Sequence, residues 1–198
     1  MYFRSIVDSP DCAAGVVGLD RLAADLRDPA GTPAFSYIVP DACHDGRDAP
    51  CEPGAPAGPA IADGWLRTVV EPILASRAYR EGGLVVITGD QAPAAGPGAD
   101  SSACCAVPVP YPNSPGAGGP LTAGAGGGRV GALLLSPYVR PGATVATAYN
   151  HFSLLRAIED LFGLEPLGYA ASKGVKRIGK GVFANSEAQD VHTPATSP

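Results

Sequence analysis

Apolar residues first recur at helical spacing at Leu19, Leu22, Ala23 and Leu26, which predicts a short helix over Leu19–Leu26. The turn residues of "DPAGTP" end it, and "AFSYIV", Ala34–Val39, then reads as a short strand closed by Pro40. A polar, Pro- and Gly-rich loop runs from there to Ala60. The second helix is expected from Ile61 to about Ala78, with Ile61, Trp65, Val69, Ile73 and Leu74 as its apolar stripe. Pro72 should kink or break it, because proline lacks the amide hydrogen and crowds the preceding turn.

Leu84–Thr88, in "GGLVVITGD", is a continuous apolar run rather than an alternation. That is the pattern of a strand buried on both faces of a parallel sheet. The stretch 91–128 shows no periodicity and is predicted to be a flexible insertion. "RVGALLLSPYV" supplies a third strand. A last helix over Phe152–Phe162 should bury Leu154, Leu155, Ile158, Leu161 and Phe162, with Asn150 or His151 near its start and Gly163 as its stop. From Ser172 the chain turns polar, and 172–198 is expected to be a frayed tail.

Helices and strands in this order predict an α/β layer fold, in which functional groups gather beyond the carboxyl ends of the strands. The loop after Val39, Asp90 after Thr88, and the "YNHFS" turn after the third strand are therefore expected on one rim. There Asp45, Arg47, Asp48 and Asp90 would surround a phosphate-sized pocket.

Composition narrows the chemistry. With 198 residues, one domain is the natural expectation. A net charge of −5 without a basic run argues against nucleic-acid partners. No apolar run approaches the roughly 18 residues of a membrane span. The N-terminus lacks a signal-peptide pattern, yet five cysteines in a loop-rich chain suit an oxidising compartment. An odd count leaves one thiol over.

"CHDGRDAPC", Cys43–Cys51, concentrates the candidate chemistry. His44, Asp45 and Asp48 are metal-ligand types, and the planar fork of Arg47 matches phosphate oxygens. The plain alternative is a solvated polar turn around Gly46. Cys43 and Cys51 enclose a loop short enough for a local disulfide. Cys104 and Cys105 are expected to have separate partners, or one of them to be free, since a bridge between neighbours is strained; Cys12 could pair with either. Asp90 is placed for metal or substrate, or simply starts a turn with Gly89. His151 either faces substrate or begins its helix without chemistry, and His192 is expected to be solvent-exposed and uninvolved. Ser136 has no G-x-S-x-G elbow around it. Gly124–Arg129 lacks the ending of a phosphate-binding loop.

Several stretches taken together resemble the bacterial phosphoesterase family of acid phosphatases and phospholipases C, within the alkaline phosphatase superfamily. They are "YFRSI", "CHDGRDAPC", "LVVITGDQ", "DSSACC", "GGGRVGALLLSPYVRPG" and "YNHFSLLRAIEDLFGLEPLGYA", in order from Tyr2 to about Ala170. The resemblance implies an α/β/α sandwich, a phosphate-ester substrate, a divalent metal ion and an extracellular or cell-envelope location. In such enzymes the strand-end motif reads Asp-Glu, and the loop motif reads Asn-Asp-x-His-Asp with its histidine facing phosphate. By that likeness Asp90 and Gln91 are the metal pair, while His44, Arg47 and Asp48 carry catalysis. Asp45, Arg47 and His151 would then bind substrate.

The departures are specific. Gln91 stands where the family has glutamate, Arg47 where it has histidine, and His44 where it has asparagine. Arginine clamps phosphate but donates no proton near neutral pH. The segment like "YFRSI" comes from mid-chain in the family, after a Glu-Asn metal pair and the nucleophile. The expectation is thus a C-terminal portion, 1–171, of a phosphoesterase domain. The first half of its sheet would be missing and its activity impaired. The alternative is a non-catalytic remnant that binds phosphate or a partner.

Overall fold

A computed structural model describes residues 7–47, 51–55, 58–93, 96–105, 126–179 and 181–184. The chain forms two compact units, Met1–Gly83 and Leu84–Pro198, of mixed α and β structure.

In the first unit, helix α1 spans Pro10–Gly15, where the Ser9 side chain accepts from the Cys12 amide and Pro10 pre-sets the first turn. The predicted helix at Leu19–Leu26 is present as a 3-10 turn, Leu19–Arg21, that runs into α2, Leu22–Asp25. Ala34–Val39 is not a strand. Phe35, Tyr37 and Val39 are exposed, and the segment joins no strand ladder among the described residues. β-Branched and aromatic residues favour a strand only where a neighbour supplies the ladder and a covered face.

Helix α3 spans Pro59–Ala75. Its stripe lies inward as predicted, with Val69 buried and Ile61, Trp65, Ile73 and Leu74 half-buried, while Asp63, Arg67 and Glu71 face solvent. The helix passes through Pro72 and stops one turn later, at Ser76. There the backbone turns extended, and the buried Ser76 hydroxyl donates to the Ile73 carbonyl and accepts from the Tyr79 amide. Ser76 thereby caps α4, Arg77–Arg80.

The second unit holds β1, Val85–Thr88, and β2, Ala132–Leu135, paired antiparallel from Val85↔Leu135 to Thr88↔Ala132. The parallel, doubly covered sheet is therefore corrected: β1 is half-buried and Leu133 is exposed. A continuous apolar run reports burial tendency, whereas the path of the connection decides strand direction. The flanks of the 91–128 insertion are ordered, since the Ala92 amide donates to the Gly127 carbonyl and Ala92 is buried. Residues 94–95 and 106–125 lie outside the described residues.

Helix α5, His151–Phe162, starts in a capping box made by Asn150 and Ser153 and stops at Gly163, whose φ of 65° suits glycine alone at low cost. Its expected apolar face is only partly covered. Leu154 and Ile158 are half-buried, but Leu155, Leu161 and Phe162 are exposed, and the buried positions are Ser153 and Glu159. The reason is that α5 packs on the 3-10 turn Gly168–Ala171 through polar groups as well as apolar ones. Arg156 donates to the Ala170 carbonyl (2.9 Å), Glu159 accepts from the Leu167 amide (2.9 Å), and Phe152 meets Tyr169 edge-on.

Nor does the chain fray at Ser172. Ala170, Val175, Ile178 and Val182 form the buried apolar centre of this unit. The Arg140 amide donates to Val182, the Ala184 amide donates to Tyr138, and Val139 bridges to Phe183. Four scattered apolar residues in a polar stretch carry no periodic signal, so only their packing reveals them. Residues 185–198, His192 included, lie outside the described residues.

Glu159, 2% exposed, fixes the turn after α5 by a single acceptor. Glu159→Ala should leave the Leu167 amide unsatisfied and lower unfolding stability by about 1–3 kcal/mol in urea titration. Glu159→Gln, which keeps the acceptor, should retain most of it.

Candidate functional site

The loop after Pro40 is organised by a residue the sequence reading passed over. Asp41 accepts through Oδ1 from the Cys43 amide (3.1 Å) and meets His44 Nδ1 at 2.6 Å, while its carbonyl accepts from the His44 amide. A carboxylate only accepts, so Nδ1 carries the hydrogen of that contact, and Nε2 is the ring's other nitrogen. The His44 ring stacks on Trp65 of α3, with centroids 6.3 Å apart and planes 27° from parallel. Asp45 then accepts from the Arg47 amide (2.8 Å), and Gly46 turns the chain at φ 81°, where a Cβ would also crowd Ala62. The expected Cys43–Cys51 disulfide is present, with 5.4 Å between Cα atoms. His44, Asp45 and Arg47 thus share one stapled turn. Asp48 lies outside the described residues.

In the second unit, Asp90 follows β1 directly, and its Oδ1 accepts from the Gln91 amide (2.8 Å). Its carbonyl accepts from His151 Nε2 at 2.8 Å, across 61 residues of sequence. The carbonyl cannot donate, so Nε2 holds the hydrogen and Nδ1 is the acceptor nitrogen of the neutral ring. Asp90, Gln91 and His151 are therefore brought together beyond β1, although β1 and β2 run antiparallel and their carboxyl ends do not share the rim on which the expectation rested. Asp90, Gln91 and His151 belong to the second unit, whereas His44, Asp45 and Arg47, expected to share a pocket with Asp90, belong to the first.

Two more residues shape this rim. Asn150 accepts from the Ser153 amide through Oδ1 and donates through Nδ2 to the carbonyls of Cys104 and Cys105, 3.4 Å each. Cys104 and Cys105 are bonded to each other, against the expectation of separate partners, and Cys12 is the cysteine outside both disulfides. Asp100 accepts from the amides of Ser102 (2.8 Å) and Arg129 (2.9 Å), tying both ends of the insertion together. The "DSS" turn was the available signal for Asp100, and the i,i+3 spacing to His44 was that for Asp41.

Among the described residues no group of three His, Cys, Asp or Glu side chains gathers to hold a metal ion. Asp90 and Gln91 offer one anionic and one neutral side-chain oxygen donor, short of a divalent ligand set. No helix is long and apolar enough to cross a membrane among the described residues.

The amide hydrogen bonds from Ser102, then from Arg129, hold the Asp100 carboxyl below its ordinary value. A lowered folded-state value means the tie is complete above the unfolded value of about 3.9 and is lost as pH falls through the folded one. The Ser102 and Arg129 amide signals should shift together on acidification below that value, as followed by NMR. Asp100→Asn should abolish the shared transition.

Neither a curated protein nor a solved structure matches the chain. A model of the Phosphoesterase family matches residues 4–165, a span that holds both the stapled turn and the Asp90–His151 contact. The chain belongs to the Phosphoesterase family.

Proposed function

We propose that this chain is a hydrolase of phosphate esters, of acid phosphatase or phospholipase C type, whose turnover is weakened by its own substitutions. The observation that carries the reading is the 2.8 Å contact joining His151 to the Asp90 carbonyl, inside the stretch matched by the family. It sets the His151 imidazole against the backbone of Asp90, so that an imidazole and a carboxylate-bearing residue, both candidate groups for phosphoryl chemistry, share the loops beyond β1.

In this reading Arg47 clamps two phosphate oxygens, since its guanidinium fork matches them and stays charged at any working pH. Asp41 orients His44 so that Nε2 meets the ester oxygen, where it can give or take a proton. Asp45 shapes the turn, Asp48 adds a second carboxylate to the same stretch of sequence, and in the second unit His151 takes the substrate-binding role that the family likeness gives it. The fold is read as part of an α/β/α sandwich of alkaline-phosphatase type. A divalent ion would supply charge stabilisation, but Asp90 with neutral Gln91 holds it weakly. The two disulfides support an extracellular or cell-envelope location.

A second reading, phosphate binding without turnover, is favoured by Gln91, which removes one anionic ligand. Two measurements test the pair. Arg47→Ala should weaken inorganic phosphate binding about tenfold in calorimetry, the loss of a charge-assisted bidentate contact. Unchanged affinity removes the clamp. Gln91→Glu should tighten Mn²⁺ binding at least about tenfold and raise hydrolysis of a chromogenic aryl phosphate above a low wild-type rate. Tighter metal without added turnover selects the binding-only reading. High wild-type turnover that survives Asp90→Ala discards this site altogether.

A further inference from the structure

The bond between Cys104 and Cys105 has no part in that chemistry, yet it abuts the residues that carry it in the second unit. Cys104 is exposed and Cys105 half-buried. Both sulfurs lie against the Tyr149 carbonyl, at 3.6 and 3.8 Å. Both carbonyls accept from Asn150 Nδ2, whose own Oδ1 caps α5. His151, the next residue, reaches Asp90. Cys105 has φ 81°, the single non-glycine positive value among the described residues. An L-residue holds that conformation only under constraint, because its Cβ crowds the backbone. Here the bond to the preceding cysteine supplies the constraint.

We propose that Cys104–Cys105 is a thiol–disulfide exchange site that sets the N-terminus of α5. A dithiol reductant attacks the exposed Cys104 sulfur as a thiolate and forms a mixed disulfide, with Cys105 leaving as thiolate. The second reductant thiol then closes on the first, releasing Cys104. Two electrons and two protons pass from the dithiol to the pair, which ends as two thiols while the reductant ends as a cyclic disulfide. Once opened, Cys105 leaves positive φ, the two carbonyls turn away, and Asn150 loses both acceptors. The cap of α5 loosens, and with it the contact of His151 to Asp90. The Cys43–Cys51 bridge differs in kind. It closes an ordinary loop, and neither of its cysteines sits at positive φ.

The test titrates the full chain with dithiothreitol, traps thiols with an alkylating agent and assigns them by peptide mass, while hydrogen exchange follows residues 149–155. Cys104 and Cys105 should take up label together and only after reductant is added. Exchange at Ser153 and Leu154 should then quicken about fivefold, the effect of weakening a helix cap. Asn150→Asp keeps the capping oxygen but, as a carboxylate, has no donor to the carbonyls, so in it the reductant-dependent change should vanish. Cys104→Ser/Cys105→Ser should show the fast exchange without reductant. Labelling before reductant, unchanged exchange after reduction, or a response that persists in Asn150→Asp each overturns the proposal. Because no step uses a phosphate ester, failure here leaves the hydrolase reading untouched.

Discussion

The second unit depends on the side-chain amide of Asn150. Its oxygen satisfies a donor at the start of α5, and its nitrogen satisfies two carbonyls of the Cys104–Cys105 pair. Helix starts leave amide donors without partners, so the residue that meets them also fixes where the helix begins and how its first side chains point. Here that first side chain is His151. One capping interaction thus sets the position of an imidazole relative to Asp90, 61 residues earlier, and links both to a disulfide.

The first unit reaches a comparable result by other means. Its histidine is held by a carboxylate three residues back and an indole on the neighbouring helix, and the turn is closed covalently. A solvated loop of this composition would sample many conformations, and ordering it costs about 1–2 kcal/mol per residue. Asp41, Trp65 and the Cys43–Cys51 bridge offset that cost. The polar turn of the sequence is therefore a fixed one, held by a carboxylate, an indole and a disulfide.

The family's chemistry needs anionic ligands for metal and a proton-transferring imidazole near phosphate. In the proposed reading the acid at Asp90 is kept, Gln91 is neutral at the next position, and the imidazole stands at position 44 with an arginine at position 47. On that reading Arg47 would favour phosphate capture over proton donation. Glu159 and Arg156 follow the same theme of polar groups in structural roles. Both lie on the inward side of α5 and tie it to the turn beyond.

How much was legible varies with the range of the interaction. The sequence by itself determined the helices α3 and α5, the start and stop of α5, both strands of the second unit and the Cys43–Cys51 staple. These follow from periodicity, turn residues and loop length, which are local or nearly so. Only the tertiary structure decided that β1 and β2 run antiparallel, that Ala34–Val39 has no ladder, and that Val175, Ile178 and Val182 are core. It alone joined Cys104 to Cys105. Strand direction, strand pairing and the burial of scattered apolar residues depend on which distant segment arrives as a neighbour, and no window of the chain encodes that arrival.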